Sequence, residues 1–306
     1  MTHLDTLLDG VIDYMGSDET MRGRVSVGRK TLGWVVVIRH KSPRRLEAGR
    51  PSTDYTCCAD IILASQGADM RSGRIRAVLF DAGYTLLFPR IEVVIADLRE
   101  HGHAATPEDF YAAERLAKQK LDAWLWPMMR AGEVPEQIDY YYWTEYLREF
   151  IRRLGVSEDG KGELTRRLIE NFQNIQNWSR VMPDTPAFLE WMLAEGYLLG
   201  VVSNSVGTLE GQLIRLGLAR YFKAILDSAI VGVQKPHVRI FKLALERLGV
   251  ESSEAVFVGD TYATDVGGAQ LAGMTGVLID TVGAYPDATC PRISSLPELQ
   301  AILESL

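Results

Sequence analysis

Short apolar runs alternate with longer amphipathic stretches through the second half of the chain. The amphipathic stretches, at residues 208–216, 237–248 and 265–272, have the apolar spacing of helices. Strands separated in this way by helices predict a parallel sheet with crossover helices on both faces, and so an α/β fold. The apolar runs that predict the strands are residues 75–80, 197–203, 224–230, 255–260 and 276–280.

A long helical region follows the first predicted strand. The segment Thr106-Pro107-Glu108-Asp109 combines an N-cap, a proline at the first helical position and acidic residues in the first turn. Apolar residues recur at helical spacing between residues 146 and 154. We therefore predict a helical domain at residues 89–182, inserted into a core made of residues 75–88 and 183–306.

The first 74 residues differ from the rest. Glycines and serines interrupt every apolar run, and only residues 31–40 predict a strand. This part contains no catalytic motif. We interpret residues 1–74 as an extension of unknown role that need not be ordered, and residues 1–69 as either that extension or the product of a start codon placed ahead of Met70.

Composition and charge exclude several classes of protein. The 306 residues include 47% hydrophobic and 24% charged residues, which is typical of a globular protein. The net charge of −7 argues against a general nucleic-acid binder. No apolar run approaches the roughly 20 residues that span a bilayer, and the acidic first 15 residues do not resemble a secretion signal. We therefore expect a cytoplasmic protein; the sequence predicts no oligomeric state.

Polar residues follow the ends of several predicted strands. Because the carboxyl ends of parallel strands meet at one edge of the sheet, we expect these residues to share a cleft. Three carboxylates at such close range repel one another unless a cation joins them. Magnesium prefers oxygen ligands of this kind and leaves room for phosphate oxygens. The residues concerned are Asp81, Thr85, Ser203, Asn204, Lys235, Asp260 and Asp265.

Four segments among these residues resemble the motifs of the haloacid dehalogenase-like (HAD) hydrolases: FDAGYTL, VVSNS, QKP and GDTYATD, in that order. The segment ISSLPELQAIL is similar to the family's usual last segment. The resemblance implies a Rossmann-like doubly wound core and a helical cap over the site. It also implies a small phosphorylated substrate, with Asp81 as nucleophile. The implied substrate-binding residues are Thr85, Ser203, Asn204 and Lys235, and the implied magnesium ligands are Asp81, the carbonyl of Gly83, Asp260 and Asp265.

Gly83 departs from the family pattern, in which phosphatases carry a general-acid aspartate at this position. Loss of positioned proton transfer typically costs about 10²- to 10⁴-fold in rate. Three explanations remain open: a substrate whose leaving group needs little protonation, a proton from Tyr84 or a cap side chain, or a protein that binds phosphoryl compounds and turns them over slowly.

Our first interpretation is a magnesium-dependent hydrolase that forms an aspartyl-phosphate on Asp81. One alternative is a non-catalytic module that binds phosphate esters. A second is a dehalogenase, although GDTYATD keeps both metal-binding aspartates. A third is the phosphonate-cleaving branch of the family, which uses a cap lysine. We disfavour it because Lys118, Lys120 and Lys161 all lie in polar stretches that predict solvated side chains.

Overall fold

The computed structural model describes residues 20–27, 30–37, 74–138, 140–156 and 162–306. The chain forms two compact units, Met1–Ser72 and Gly73–Leu306. In the first unit, strands β1 (Thr20–Val27) and β2 (Lys30–Val37) pair antiparallel. The sequence predicted the second of these strands but not the first. The prediction of a poorly ordered extension falls mostly outside the described residues.

The second unit is built on a six-stranded sheet whose strands are all parallel. The order is β5-β4-β3-β6-β7-β8, so the chain moves first to one side of β3 and then to the other. This order is that of doubly wound folds, in which ligands bind beyond the carboxyl ends of the strands where the direction reverses. It confirms the predicted α/β, Rossmann-like fold. The strands are β3 (Ala77–Phe80), β4 (Leu198–Ser203), β5 (Ala224–Asp227), β6 (Ala255–Gly259), β7 (Thr275–Ile279) and β8 (Arg292–Ile293).

In the described part of the chain, four α-helices lie within residues 89–182, the region for which the sequence predicts helices. The second of them begins at a capping box, in which Thr106 and Asp109 each bond the other's backbone. The aromatic rings of Phe110, Phe150 and Phe172 pack together inside this helical region. The helices are α1 (Ile91–Glu100), α2 (Pro107–Ala131), α3 (Tyr140–Arg153) and α4 (Glu163–Gln173).

The remaining helices cover the sheet. Residues of β3, such as Val78 and Leu79, are fully buried between them, as expected for a parallel strand covered on both faces. No described helix is long and apolar enough to cross a bilayer. These helices are α5 (Thr185–Ala194), α6 (Leu209–Arg215), α7 (Ser228–Val231), α8 (Val238–Leu248), α9 (Gly268–Leu271) and α10 (Leu299–Ser305).

In two of the predicted elements, part of the run forms a different secondary structure. The run 224–230 forms a strand only as far as Asp227, because the Asp227 carboxylate accepts a hydrogen bond from the Ala229 N–H and starts α7. The predicted helix at 265–272 begins earlier, with a π-helical turn at Tyr262–Gly267 that leads into α9. This turn carries Asp265 beside the end of β6.

Candidate active site

Three carboxylates meet at the carboxyl edge of the sheet. Asp81 directly follows β3, Asp260 follows β6, and Asp265 lies in the π-helical turn Tyr262–Gly267. All three residues are buried, and one carboxylate oxygen from each lies within 4.8 Å of the others. The predicted convergence of these aspartates is therefore observed.

Gly259 permits the close approach of Asp265 to the end of β6. A Cβ atom at position 259 would stand 2.4 Å from the Cβ and Cγ atoms of Asp265. The Thr261 N–H donates to the Oδ2 atom of the same Asp265 carboxylate over 2.9 Å. The glycine and this hydrogen bond together fix the position of Asp265.

Lys235 lies between two of the carboxylates. Its Nζ atom stands 2.5 Å from Oδ1 of Asp81 and 2.7 Å from Oδ1 of Asp265. The side-chain amide of Asn204 positions this lysine, since it accepts from the Lys235 N–H and donates to the Lys235 carbonyl. Asn204 was predicted to bind substrate; in the structure its amide holds the loop that carries Lys235.

Burial and mutual repulsion disfavour the charged forms of these carboxylates. Burial raises the pKa of Asp81 to about 7, with Asp265 and Asp260 adding to the rise and Lys235 opposing it. Burial also raises the pKa of Asp260, against the attraction of Lys118. Such a cluster favours an added cation, and its ligands are all carboxylate oxygens. The donor set therefore fits Mg²⁺.

The position of Lys118 on α2 shows that one prediction was wrong: the side chains of Lys118, Lys120 and Lys161 were all expected to be solvated. Lys118 is buried, and its Nζ atom lies 2.6 Å from Oδ2 of Asp260 and 3.7 Å from Oε1 of Glu114. Lys120 is half exposed, as predicted, and Lys161 lies outside the described residues. Solvation therefore no longer argues against the phosphonate-cleaving branch at Lys118.

The environment of Lys118 supplies a different argument against that branch. Burial alone would lower the pKa of Lys118, but Asp260 and Glu114 outweigh it and hold the pKa above its usual range. An amine must lose its proton before it can form a Schiff base with an aldehyde. The two carboxylates oppose that loss.

Lys118 belongs to a row of α2 residues that face the core. Glu114, Lys118, Asp122 and Trp126 are spaced four apart and so share one face of the helix. Oδ1 of Asp122 accepts from the Ala263 N–H over 3.1 Å. An added Cβ at Gly267 would stand 2.6 Å from the Trp126 ring. This row was not predicted, although its acid-base-acid repeat is visible in the sequence at helical spacing.

Trp178 and Tyr84 lie beside Gly83. A Cβ atom at Gly83 would stand 3.4 Å from the Trp178 ring and 3.9 Å from Oδ2 of Asp81. Tyr84 adopts a left-handed backbone conformation, with φ of 51°, which costs a non-glycine residue about 1–2 kcal/mol. Its hydroxyl donates to Oε2 of Glu114 over 2.9 Å, and its ring packs edge-on against Trp178. This turn therefore joins the loop that follows β3 to the helical region.

Ser203 and Thr85, two of the predicted substrate-binding residues, lie in different parts of the structure. Ser203 is the last residue of β4, next to β3, and is buried. Thr85 is also buried, and its hydroxyl has no hydrogen-bond partner among the described residues. Thr85 lines a cavity of about 420 Å³ together with Thr185, whose hydroxyl also lacks a partner in the described part of the chain. The substrate contacts of both residues remain predictions.

Comparison with known proteins agrees with this architecture. Residues 75–273 match the family model of the haloacid dehalogenase-like hydrolases. A zebrafish (Danio rerio) protein, haloacid dehalogenase-like hydrolase domain-containing protein 3, is 33% identical over 67% of this chain and 85% of its own length. The chain belongs to the haloacid dehalogenase-like hydrolases.

Two further comparisons name specific activities. A phosphoserine phosphatase of Thermus thermophilus is 34% identical over 67% of this chain and 81% of its own length. The crystal structure of a dehalogenase is 27% identical, with a TM-score of 0.50, over 74% of this chain and 96% of that one. The chain is therefore similar both to a phosphatase and to a dehalogenase of the family.

Proposed function

We propose that this hydrolase is a magnesium-dependent phosphatase of a small phosphorylated metabolite and that its reaction passes through an aspartyl-phosphate on Asp81. The observation that carries the proposal is the buried cluster of Asp81, Asp260 and Asp265 with Lys235 against it. A dehalogenase needs no divalent cation, whereas this set of oxygen ligands fits one. The 34% identity to a phosphoserine phosphatase supports the same branch.

Each residue of the site has a task in this proposal. Asp81 attacks phosphorus, and the resulting acyl phosphate is then hydrolysed, which divides one difficult displacement into two easier ones. Lys235 holds the Asp81 carboxylate in place and binds phosphoryl oxygens, with Ser203 as a further donor. Asp81, Asp260, Asp265 and the Gly83 carbonyl would hold Mg²⁺, which supplies positive charge against the phosphoryl group. The side-chain amide of Asn204 keeps Lys235 in position through hydrogen bonds with the Lys235 backbone.

Gly83 limits the substrates that we expect. With no carboxyl group at this position, the leaving oxygen departs without the family's usual general acid. Aryl and acyl phosphates have leaving groups that need little protonation, so they suit the site better than alkyl phosphates. We infer that turnover falls from acyl and aryl to alkyl phosphates more steeply than in a phosphatase that carries the acid.

Phosphate release from acetyl phosphate and p-nitrophenyl phosphate tests the proposal. We expect release that requires Mg²⁺ and stops when a chelator removes it. Tight binding of phosphate esters without turnover of any of them would favour the non-catalytic module instead.

A dehalogenase activity is the second candidate, because a solved dehalogenase structure is 27% identical to this chain. The same protein should then release halide from a 2-haloacid, and a chelator should leave the rate unchanged. Our proposal predicts no halide release above the uncatalysed rate. Halide release without phosphate release would contradict it.

Gly83→Asp is expected to raise the turnover of an alkyl phosphate at least about tenfold, within the range of positioned proton transfer. The new Cβ would lie 3.4 Å from the Trp178 ring, so the carboxyl group needs only a small shift of that ring. Gly83→Asn, which matches the size without the acid, is the control and should give no gain. An unchanged alkyl phosphate rate in a folded Gly83→Asp protein would show that another step limits the reaction.

A further inference from the structure

Lys118 places a positive charge from α2 directly on one of the proposed metal ligands. Its Nζ atom lies 2.6 Å from Oδ2 of Asp260, and both side chains are buried. The second carboxylate near it is more distant: Oε1 of Glu114 lies 3.7 Å from Nζ, and its Oε2 atom accepts from Tyr84 and Tyr146. Asp260 is therefore the principal partner of this lysine.

The site already contains two ammonium groups for its three aspartates. Lys235 contacts Asp81 and Asp265, and Lys118 contacts Asp260. A divalent cation held by the same carboxylates would lie close to both ammonium groups. Repulsion between like charges is strong in a buried site, where the effective dielectric constant is well below that of water. The cation and the lysines thus oppose each other.

The two lysines differ in the part of the chain that carries them. Lys235 lies in the core, in a loop fixed by Asn204. Lys118 lies on the inserted helix α2, which contacts the core through several separate polar contacts. Arg115 and Gln119 donate to the carbonyls of Val282 and Ala284, and Asp122 accepts from the Ala263 N–H. These contacts join α2 to the core independently of the ion pair between Lys118 and Asp260.

We propose that Lys118 competes with the divalent cation for Asp260. The ion pair between Lys118 and Asp260, which joins α2 to the core, and the binding of the metal therefore oppose each other. The inference rests on the proposed function, since it assumes that Asp260 is a metal ligand. Lys118 then has a regulatory role. Its ammonium group takes the place of the cation in the metal-free protein, and it sets the Mg²⁺ concentration that is needed to fill the site.

Calorimetric titration of the full chain with Mg²⁺ tests this proposal without an activity assay. Lys118→Met should bind Mg²⁺ at least about tenfold more tightly than the natural protein, because one opposing charge is gone. Lys118→Arg keeps the charge and should stay within about threefold of the natural affinity. Lys120→Met is the matched control: the same substitution two residues along α2, at a half-exposed lysine, should leave the affinity unchanged.

The outcomes separate this proposal from the proposed function. Equal Mg²⁺ affinity in Lys118→Met and the natural protein, or weaker binding in the variant, would overturn the competition and leave the phosphatase proposal standing. Absence of Mg²⁺ binding in all four proteins would overturn both.

Acylation of the natural protein provides a second test, should Lys118→Met fail to fold. An amine-reactive reagent, followed by peptide mass spectrometry, should modify Lys118 several-fold faster in saturating Mg²⁺ than with a chelator, because loss of the ion pair with Asp260 favours the neutral amine, which is the form that is acylated. The rate at Lys120 should not change. Equal rates at Lys118 in the two conditions would refute the competition.

Discussion

Asp81→Asn is expected to lower the rate of phosphate release by about 10⁴-fold or more, the scale on which loss of a covalent nucleophile acts. The amide has nearly the shape of the carboxylate but cannot attack phosphorus. Steady-state assays with p-nitrophenyl phosphate, at saturating Mg²⁺, measure the effect. A variant that keeps more than about a tenth of the natural rate would exclude Asp81 as the nucleophile.

The stability of the same variant serves as its control. Burial raises the pKa of Asp81 to about 7, so this carboxyl group makes the fold less stable as pH rises from its unfolded pKa towards that value. The amide does not titrate. Without metal, Asp81→Asn should therefore melt at or above the natural temperature at about pH 8, and the difference should shrink towards pH 4. A loss of activity with a lower melting temperature would indicate damage to the fold.

Lys235→Met is expected to lower the free energy of unfolding by about 3–5 kcal/mol at pH 8 without metal, because it leaves buried carboxylates without their partner. Lys235 is buried against Asp81 and Asp265. Its own pKa is raised by Asp265 and Asp81 against the effect of burial, so its contribution is fully present below its unfolded pKa, throughout this pH range. Urea denaturation of both proteins measures the difference.

The loss of stability in Lys235→Met should depend on pH. The pKa of Asp81 is about 7 even with Lys235 opposing the rise, so in the variant this carboxyl group takes up its proton before the pH falls to 5, and the destabilisation should be smaller at pH 5 than at pH 8. A neutral group in place of Lys235 should also remove most of the activity, since phosphoryl oxygens lose a buried charged donor. An equal loss of stability at pH 5 and pH 8 would show that lost packing, rather than unpaired charge, is the cause.

The sequence contains most of the information that positions the carboxylates. Short apolar runs end at Asp81 and Asp260 because each strand is buried and the chain becomes polar where it leaves the sheet. Gly259 is explained only by the three-dimensional structure, where the Asp265 side chain occupies the space of a Cβ. Local pattern thus predicts which residues reach the edge of the sheet, but not how closely they pack there.

The environment of α2 was the part that the sequence did not predict. Lys118 lies in a stretch of polar residues, which normally indicates solvent exposure. Its burial depends on Asp260, 142 positions later in the chain, and a contact at that separation leaves no local pattern. The short strand β8 was missed for a simpler reason, since two residues are too few to show a period.

Covalent labelling of Asp81 during turnover tests the central claim most directly. The natural protein, quenched in acid while it turns over p-nitrophenyl phosphate with Mg²⁺, should carry one phosphoryl group on the peptide that contains Asp81. Borohydride reduction before digestion should convert that residue to homoserine, which mass spectrometry identifies by position. Phosphate release with an unmodified Asp81, or with the phosphoryl group on another residue, would contradict the account.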